Sequence, residues 1–212
     1  MQVFKGHYNE TEVAVKRLDD LSELMRVEGP EAGAALLASL KDEAGLMAAL
    51  RHPNIVSFMG MCSSPPCIIT EFCAKGSLTD VLKAAKHDPA SLPWKERVRM
   101  AKEAATGMLH LHCQVPPIIH RDLKSPNLLV DIHGTIKVAD VGLSKMTSES
   151  GLLSSGKTLQ NMNPRWLAPE VMNERPASVA SDVFAFGVVM WGEFAVVCVW
   201  WPGGAVGCSG GA

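Results

Sequence analysis

The chain has 212 residues, of which 47% are hydrophobic and 20% are charged, and its 20 Lys plus Arg and 22 Asp plus Glu give a net charge of −2. This composition is that of a globular protein long enough to bury a core, and it excludes disorder or collagen as a description of the whole chain. Because a near-neutral chain lacks the positive field that attracts phosphate backbones, we expect no nucleic-acid partner.

The cysteine pattern predicts a reducing compartment. The sequence has no Cys-x-x-Cys pair and no charged-then-apolar secretory start, so we expect free thiols and a cytoplasmic location. The spacing of the first three cysteines fits no zinc site, and His110 and His112 are interpreted as packing histidines. The six cysteines are Cys62, Cys67, Cys73, Cys113, Cys198 and Cys208.

The first third of the chain predicts a sheet with one helix. Residues 2–4 and 11–18 are typical of two short strands around a polar turn. An Ala- and Leu-rich segment at 30–50 predicts a helix, and the runs IVSFMGMC (55–62) and CIITEF (67–72) predict two further strands.

Helices dominate the pattern after Gly76. Segments 77–87 and 93–112 predict two helices, and in the second an apolar stripe is interpreted as core packing. Helices are also expected after Pro169 and Asp182. The stripe consists of Trp94, Val98, Ala101, Ala105 and Met108.

Between those helices lie short β-like runs and a polar segment. The runs are at 118–120, 127–130 and 135–139, broken by polar clusters. Residues 143–165 are rich in Ser, Thr, Gly and Asn, which predicts a long functional or disordered loop.

Two segments carry the sharpest motif, IIHRDLKSPNLLV at 118–130 and KVADVGLS at 137–144. They resemble the protein kinase family, whose catalytic loop has His-Arg-Asp with Asn five residues after the Asp, followed by a metal-binding Asp-x-Gly. VAVK at 13–16, APE at 168–170 and SDVFAFGVVMW at 181–191 resemble further landmarks in the same order. HRDLKSPN and PRWLAPEV suggest the tyrosine-kinase-like serine/threonine type.

The resemblance implies an α+β, two-lobed fold. We expect a small, mostly antiparallel β lobe with one helix at 1–71 and a larger, mainly helical lobe at 72–194. Together they form a partial kinase domain, 1–194, with both lobes incomplete and an unmatched tail at 195–212.

The resemblance also implies ATP- and Mg²⁺-dependent transfer of phosphate to Ser or Thr of protein substrates. Such catalysis is positioning plus neutralisation of phosphate charge. Asp122 is implied as the group that accepts the hydroxyl proton, and Lys124 as a contact to the transferring phosphate. Asn127 and Asp140 supply the hard oxygen ligands that Mg²⁺ prefers.

Further residues are implied for ATP. Lys16 would hold the phosphates and be oriented by Glu43, which lies nine residues before His52. The hinge that reads the adenine edge, and the side chains that enclose the ring, complete the site. The hinge residues are Thr70, Glu71 and Cys73, and the enclosing residues are Val3, Ala14 and Leu129.

Arg121 suggests regulation by a phosphate on the following loop, because Arg pairs well with phosphate. The alternative is a flexible polar loop. Candidate phosphorylation sites are Thr147, Ser148, Ser150, Ser154, Ser155 and Thr158.

The sequence departs from the family pattern at several positions. No G-x-G-x-x-G precedes Lys16, so the backbone donors that cover the phosphates are missing. Val141 replaces the Phe of Asp-Phe-Gly, which reduces packing, and Asn163 stands where a bracing Thr is usual.

Two alternatives to an active kinase remain open. One is a catalytically impaired, kinase-like binding module or a fragment that does not fold alone. The other treats residues 183–201 as a membrane span with a single charge, Glu193, although its first half matches a buried helix of the family.

Overall fold

The computed structural model describes residues 2–17, 29–141 and 164–191. Its main elements are β1 (Gln2–Tyr8), β2 (Thr11–Arg17), α1 (Pro30–Ala49), β3 (Phe58–Ser63), β4 (Pro66–Glu71), α2 (Leu78–His87), α3 (Trp94–His112), β5 (Leu128–Val130), β6 (Ile136–Val138), α4 (Pro169–Met172) and α5 (Val179–Val189). Four antiparallel strands form one sheet in the order β1-β2-β4-β3, and β5 and β6 form a second, two-stranded sheet. The predicted α+β class is confirmed.

The first hairpin is longer than the sequence predicts. β1 pairs with β2 along its whole length, from Gln2 opposite Arg17 to Tyr8 opposite Thr11. The alternation of apolar residues stops earlier because this edge strand is largely exposed, so the backbone ladder continues without an apolar signal. Residues 118–120, predicted as a β-like run, form no strand.

The register of the sheet collects several predicted site residues on one face. Val3 lies opposite Lys16, and Ala14 lies opposite Thr70. Residues directly opposite each other, and residues two apart on one strand, project from the same face of a sheet. These four residues therefore share one face.

Helix α1 forms where the Ala- and Leu-rich segment predicts it. Pro30 occupies the first turn, where its missing N–H is tolerated. The helix packs on the sheet through Leu40 and Met47, which form a buried cluster with Ile68 of β4. Glu43 lies on this helix, and its side chain is outside the described part of the structure.

The buried face of α3 is not the predicted stripe. Met108 is buried, but Trp94 and Val98 are 61% and 49% exposed, and Ala105 is also exposed. The true core face includes Arg97, whose Nε donates to the Leu92 carbonyl. A charged residue on the buried face conceals it from apolar periodicity, because an arginine buries its aliphatic stem while its head finds a partner. The buried residues are Arg97, Met100, Ala104, Gly107, Met108 and Leu111.

The β5–β6 hairpin packs across α3 and the loop before β3. Val56 N–H donates to the Val138 carbonyl, and Val138 N–H donates to the Asn54 carbonyl. Gly107 of α3 lies so close to this crossing that a Cβ there would be 2.4 Å from the Asn54 carbonyl oxygen and 2.8 Å from Val138 Cγ2. These contacts therefore fix the position of the β5–β6 hairpin relative to α3.

Some sequence predictions fall outside the described residues. They are the candidate phosphorylation sites between 147 and 158, Asn163, the tail 195–212 and the part of the proposed membrane span from 192 to 201. Within the described ranges, no helix has the length and apolar character needed to cross a membrane.

We predict that Gly107→Ala destabilises the chain, because the added methyl group overlaps the backbone of Asn54. Overpacking of this kind costs about 1–3 kcal/mol of unfolding free energy, measurable by urea denaturation. The matched control is Gly45→Ala in α1, where nothing lies within 4 Å of the added Cβ. That control should stabilise by about 0.5–1 kcal/mol, since Ala is the better helix former. Equal midpoints for Gly107→Ala and the parent would contradict the close approach.

Candidate active site

A buried carboxylate holds the loop that carries the His-Arg-Asp motif. Asp182, 2% exposed, lies in the first turn of α5. Its oxygens accept the backbone N–H groups of His120 at 2.7 Å and Arg121 at 2.9 Å, and one of them lies 2.9 Å from His112 Nε2. Arg121 has φ of 67°, a left-handed conformation that is uncommon for a residue with a side chain. Asp182 thus fixes a strained turn.

His120 connects this loop to the strand that leads to the Asp-x-Gly motif. Its ring is fully buried, Asp122 N–H donates to Nδ1 at 3.3 Å, and Nε2 lies 2.9 Å from the Ala139 carbonyl. Since Nδ1 accepts a hydrogen bond, the ring proton is assigned to Nε2, which donates to Ala139. The imidazole therefore bridges the backbone of Asp122 to the residue before Asp140.

The three predicted polar residues of the catalytic loop converge. Lys124 Nζ is 2.7 Å from Asp122 Oδ2. Asn127 Nδ2 donates to the Asp122 carbonyl at 2.8 Å and to Oδ2 at 3.1 Å. One carboxylate oxygen thus faces an ammonium and an amide, which fix its direction while the side chain of Asp122 stays 40% exposed.

Asn127 has an oxygen suited to a hard cation. The residue is 7% exposed and its Nδ2 is engaged, yet no described residue donates a hydrogen bond to Oδ1. Ala139 N–H donates to the Asn127 carbonyl at 2.8 Å, so the residue just before Asp140 is tied to this position. A buried amide oxygen near a carboxylate matches the oxygen ligands that Mg²⁺ prefers. The residues present therefore fit the ion.

Asp140 also faces the first sheet. Its Oδ1 lies 2.5 Å from Lys16 Nζ on β2, and the two side chains are 38% and 17% exposed. The structure thus brings Lys16 together with the predicted metal-binding Asp. Opposite charges at this distance compensate each other in the absence of other ions.

The segment after β4 carries the predicted hinge. Cys73 forms a buried cluster with Val56 and Ala139, against which Leu129 packs. Burial, and next the negative charge of Glu71, raise the pKa of the Cys73 thiol to about 12. Such a thiol stays protonated and apolar at neutral pH. Thr70, near the end of β4, lies opposite Ala14 on the shared face of the sheet.

The backbone of the hinge leaves a donor available. Gly76 N–H donates to the Cys73 carbonyl, whereas no hydrogen bond among the described residues uses the Cys73 N–H. Val3, the residue predicted to cover the ring from β1, is 64% exposed. An aromatic ring with a polar edge could pack between these apolar groups and accept from this N–H.

Val141, the substitute for the family's Phe, is 2% exposed and belongs to the main hydrophobic core. Valine in place of phenylalanine therefore changes how this part of the core is packed, and it does not change the charge of the site.

Sequence reasoning missed two residues that organise the site. Asp182 was identified only as part of a helix motif, and its bonds to the loop 62 positions earlier have no local signal. Lys137 lies in the buried strand β6 and bonds to Glu71. A lysine between Ile136 and Val138 is the one available hint, since lysine is rarely buried without a partner.

Comparisons with known proteins place the sequence in a family. The model of the family "Protein tyrosine and serine/threonine kinase" matches residues 1–198. The chain is 42% identical over 202 residues, or 94% of its length, to probable serine/threonine-protein kinase SIS8 of Arabidopsis thaliana. It is 45% identical over 152 residues, or 70%, to serine/threonine-protein kinase CTR1 of the same plant. It is also 40% identical over 196 residues, or 91%, to dual specificity protein kinase shkA of Dictyostelium discoideum.

The chain spans 18%, 18% and 34% of the lengths of these three relatives. The matches confirm the resemblance seen in the motifs, that of a serine/threonine kinase of the tyrosine-kinase-like type. The chain belongs to the protein tyrosine and serine/threonine kinase family.

Proposed function

We propose that this chain carries the catalytic site of a protein kinase that transfers the γ-phosphate of ATP to Ser or Thr hydroxyls of proteins. The observation that supports this best is the convergence of Lys124 and Asn127 on one carboxylate oxygen of Asp122, 2.7 and 3.1 Å away. A carboxylate aimed in this way, and still 40% exposed, can receive a hydroxyl group and accept its proton.

The cation beside the carboxylate has a second role. Lys124 neutralises charge on the phosphate that passes to the hydroxyl oxygen, which is the main contribution a protein makes to phosphoryl transfer. Asp122 orients the hydroxyl and takes its proton as the new O–P bond forms and the bond from the γ-phosphorus to the bridging oxygen breaks, with ADP as the leaving group. Both roles need the two side chains to remain adjacent, as they are.

We propose Asn127 and Asp140 as the residues that hold Mg²⁺, through the amide oxygen of the first and the carboxylate of the second. The ion supplies charge neutralisation on the phosphate oxygens when it is bound. Lys16, which lies 2.5 Å from Asp140, is placed to bind the phosphates next to that ion. Glu43 on α1 is the residue proposed to orient Lys16.

The adenine end is proposed at the segment after β4. The available Cys73 N–H and the apolar cluster around it suit the polar edge and the faces of a purine. The ring would pack between Val3 and Ala14 on the sheet and Leu129 on β5, with Thr70 and Glu71 at its inner edge.

The organisation and setting of the protein are also proposals. Residues 1–71 form the small lobe and 72–194 the large lobe of a kinase domain, followed by a tail at 195–212. Protein substrates are favoured over nucleic acid by the net charge of −2, and no membrane partner is proposed. Described cysteines that are free, such as Cys62 and Cys67, support a reducing, cytoplasmic location.

We predict that Mg²⁺ and ATP together raise the melting temperature of the 212-residue chain. At a hundredfold excess of ligand over Kd, linkage gives about 2.7 kcal/mol, or several degrees for a domain of this size. Asp140→Asn should lose most of the Mg²⁺-dependent part of the shift, because it removes the carboxylate. A parent chain whose melt is unchanged by ATP would contradict the proposed site.

We predict that Asp122→Asn lowers kcat for peptide phosphorylation by about 10²–10⁴-fold, because the amide cannot accept the hydroxyl proton. The KM for ATP should change much less. The matched control is Asp88→Asn, an exposed helix cap whose acceptor oxygen is retained. Nucleotide binding without transfer in the parent would favour the kinase-like binding module.

The acceptor class is tested in the same assay with two peptides that differ only in Ser or Tyr at the acceptor position. One relative is named a dual specificity kinase, so the rates on the Ser and Tyr peptides show whether this chain acts on one class of acceptor or on both. We expect transfer to the Ser peptide. Equal rates on both would overturn the restriction to Ser and Thr.

A further inference from the structure

Lys137 is a buried charged residue that the proposed chemistry does not use. It is 9% exposed and is the only buried lysine in the described part of the chain. It lies at the centre of the three-residue strand β6, three positions before Asp140, with Ile136 and Val138 fully buried on either side. A buried ammonium needs partners to compensate for the water it has lost.

Its partners come from two other segments. Lys137 Nζ lies 3.0 Å from each carboxylate oxygen of Glu71 and donates to the Pro53 carbonyl at 3.2 Å. Glu71 Oε1 also accepts the Ser57 N–H at 2.6 Å, and Glu71 N–H donates to the Ser57 carbonyl. One ion pair therefore joins β6, the end of β4 and the loop between α1 and β3.

The ion pair links the two ends of the proposed nucleotide site. Glu71 is two residues before Cys73, whose N–H is proposed to meet the adenine edge. Lys137 is on the short strand that ends just before Asp140, the proposed metal ligand. The contact thus ties the hinge to the strand that leads to the proposed metal carboxylate, through the Glu71 side chain and a lysine to which no role in binding nucleotide or metal is assigned.

We propose that Lys137 is a positioning residue for the adenine end of the site, acting through Glu71. The inference rests on the proposed function. With the ammonium in place, the carboxylate of Glu71 is held from both sides and the hinge backbone is fixed before the ligand arrives. Without it, the hinge must be ordered during binding, and that ordering weakens affinity.

The test is calorimetric binding of three probes to the 212-residue chain and to Lys137→Met, which keeps the length of the side chain and removes its charge. The probes are ATP with Mg²⁺, adenosine, and tripolyphosphate with Mg²⁺. We expect the Kd values of ATP and adenosine to rise by about tenfold, equivalent to ~1.4 kcal/mol. The Kd of tripolyphosphate should not change, since Lys16 and Asp140 are intact.

Kinetics give an independent readout. The KM for ATP should rise by the same factor while kcat at saturating ATP is unchanged. A purely structural role would lower the melting temperature without separating adenosine from tripolyphosphate. Lys102→Met, at an exposed position of α3, is the matched control and should leave all three Kd values unchanged.

Glu71→Gln is the second variant, and it tests the same ion pair if Lys137→Met does not fold. It removes the charge at the other end of the pair while keeping the shape. The double variant should lose no more affinity than either single variant, because both changes act through one contact.

The possible outcomes distinguish a failure of the proposed function from a failure of the role assigned to Lys137. A parent that binds none of the probes overturns the proposed function and this inference with it. If Lys137→Met and Glu71→Gln bind adenosine with the same Kd as the parent, this inference alone is overturned. An equal loss for adenosine and tripolyphosphate also overturns it, since the effect would then not lie at the adenine end.

Discussion

The candidate active site is organised around the buried carboxylate of Asp182. A charge that is 2% exposed must be compensated nearby, and here two backbone N–H groups and the His112 ring do so. The same hydrogen bonds also stabilise the loop, because they hold Arg121 at a φ of 67°, a conformation that is unfavourable for a residue with a side chain. The direction of the Asp122 side chain, one residue later, depends on that turn. A core helix thereby supports a strained loop at the surface.

The His-Arg-Asp loop and the residue after β6 are held to each other by one buried side chain and by one backbone hydrogen bond. His120 bonds to Ala139 through its side chain, and the Ala139 N–H bonds to Asn127. Both bonds end on the residue before Asp140, whose φ is 60°. Two segments that are distant in sequence are thus tied together next to Asn127 and Asp140, the two proposed metal ligands.

The sequence predicted most of the local structure, and through the family resemblance it anticipated that Lys16 and Asp140 share one site, but it missed the long-range bonds of Asp182 and Lys137. The helix at 30–50 was confirmed because its helix-forming residues and Pro30 act within a few positions, and the polar residues of the His-Arg-Asp loop converge because Asp122 and Asn127 lie only five positions apart. The core face of α3 was predicted wrongly since buried Arg97 interrupts the apolar period. The contacts of Asp182 and Lys137 span more than 60 positions, so only folding brings their partners together. The roles assigned to the site residues stay predictions.

Two lysines, Lys16 and Lys137, link the first sheet to the short strand β6 and the residues that follow it. Lys16 reaches from the first sheet to Asp140, and Lys137 reaches from β6 to the end of that sheet at Glu71. The Asp140 side chain is 38% exposed, whereas the Lys137 side chain is 11% exposed, so the two pairs differ in how readily their charges can meet a ligand. Lys16 and Asp140 can each take a new partner of opposite charge, phosphate for the lysine and a cation for the carboxylate, without leaving a charge unpaired. Lys137 has no such exchange open to it, because its contacts are internal. The exchangeable pair therefore suits ligand binding, and the fixed pair suits holding the frame in which that binding takes place.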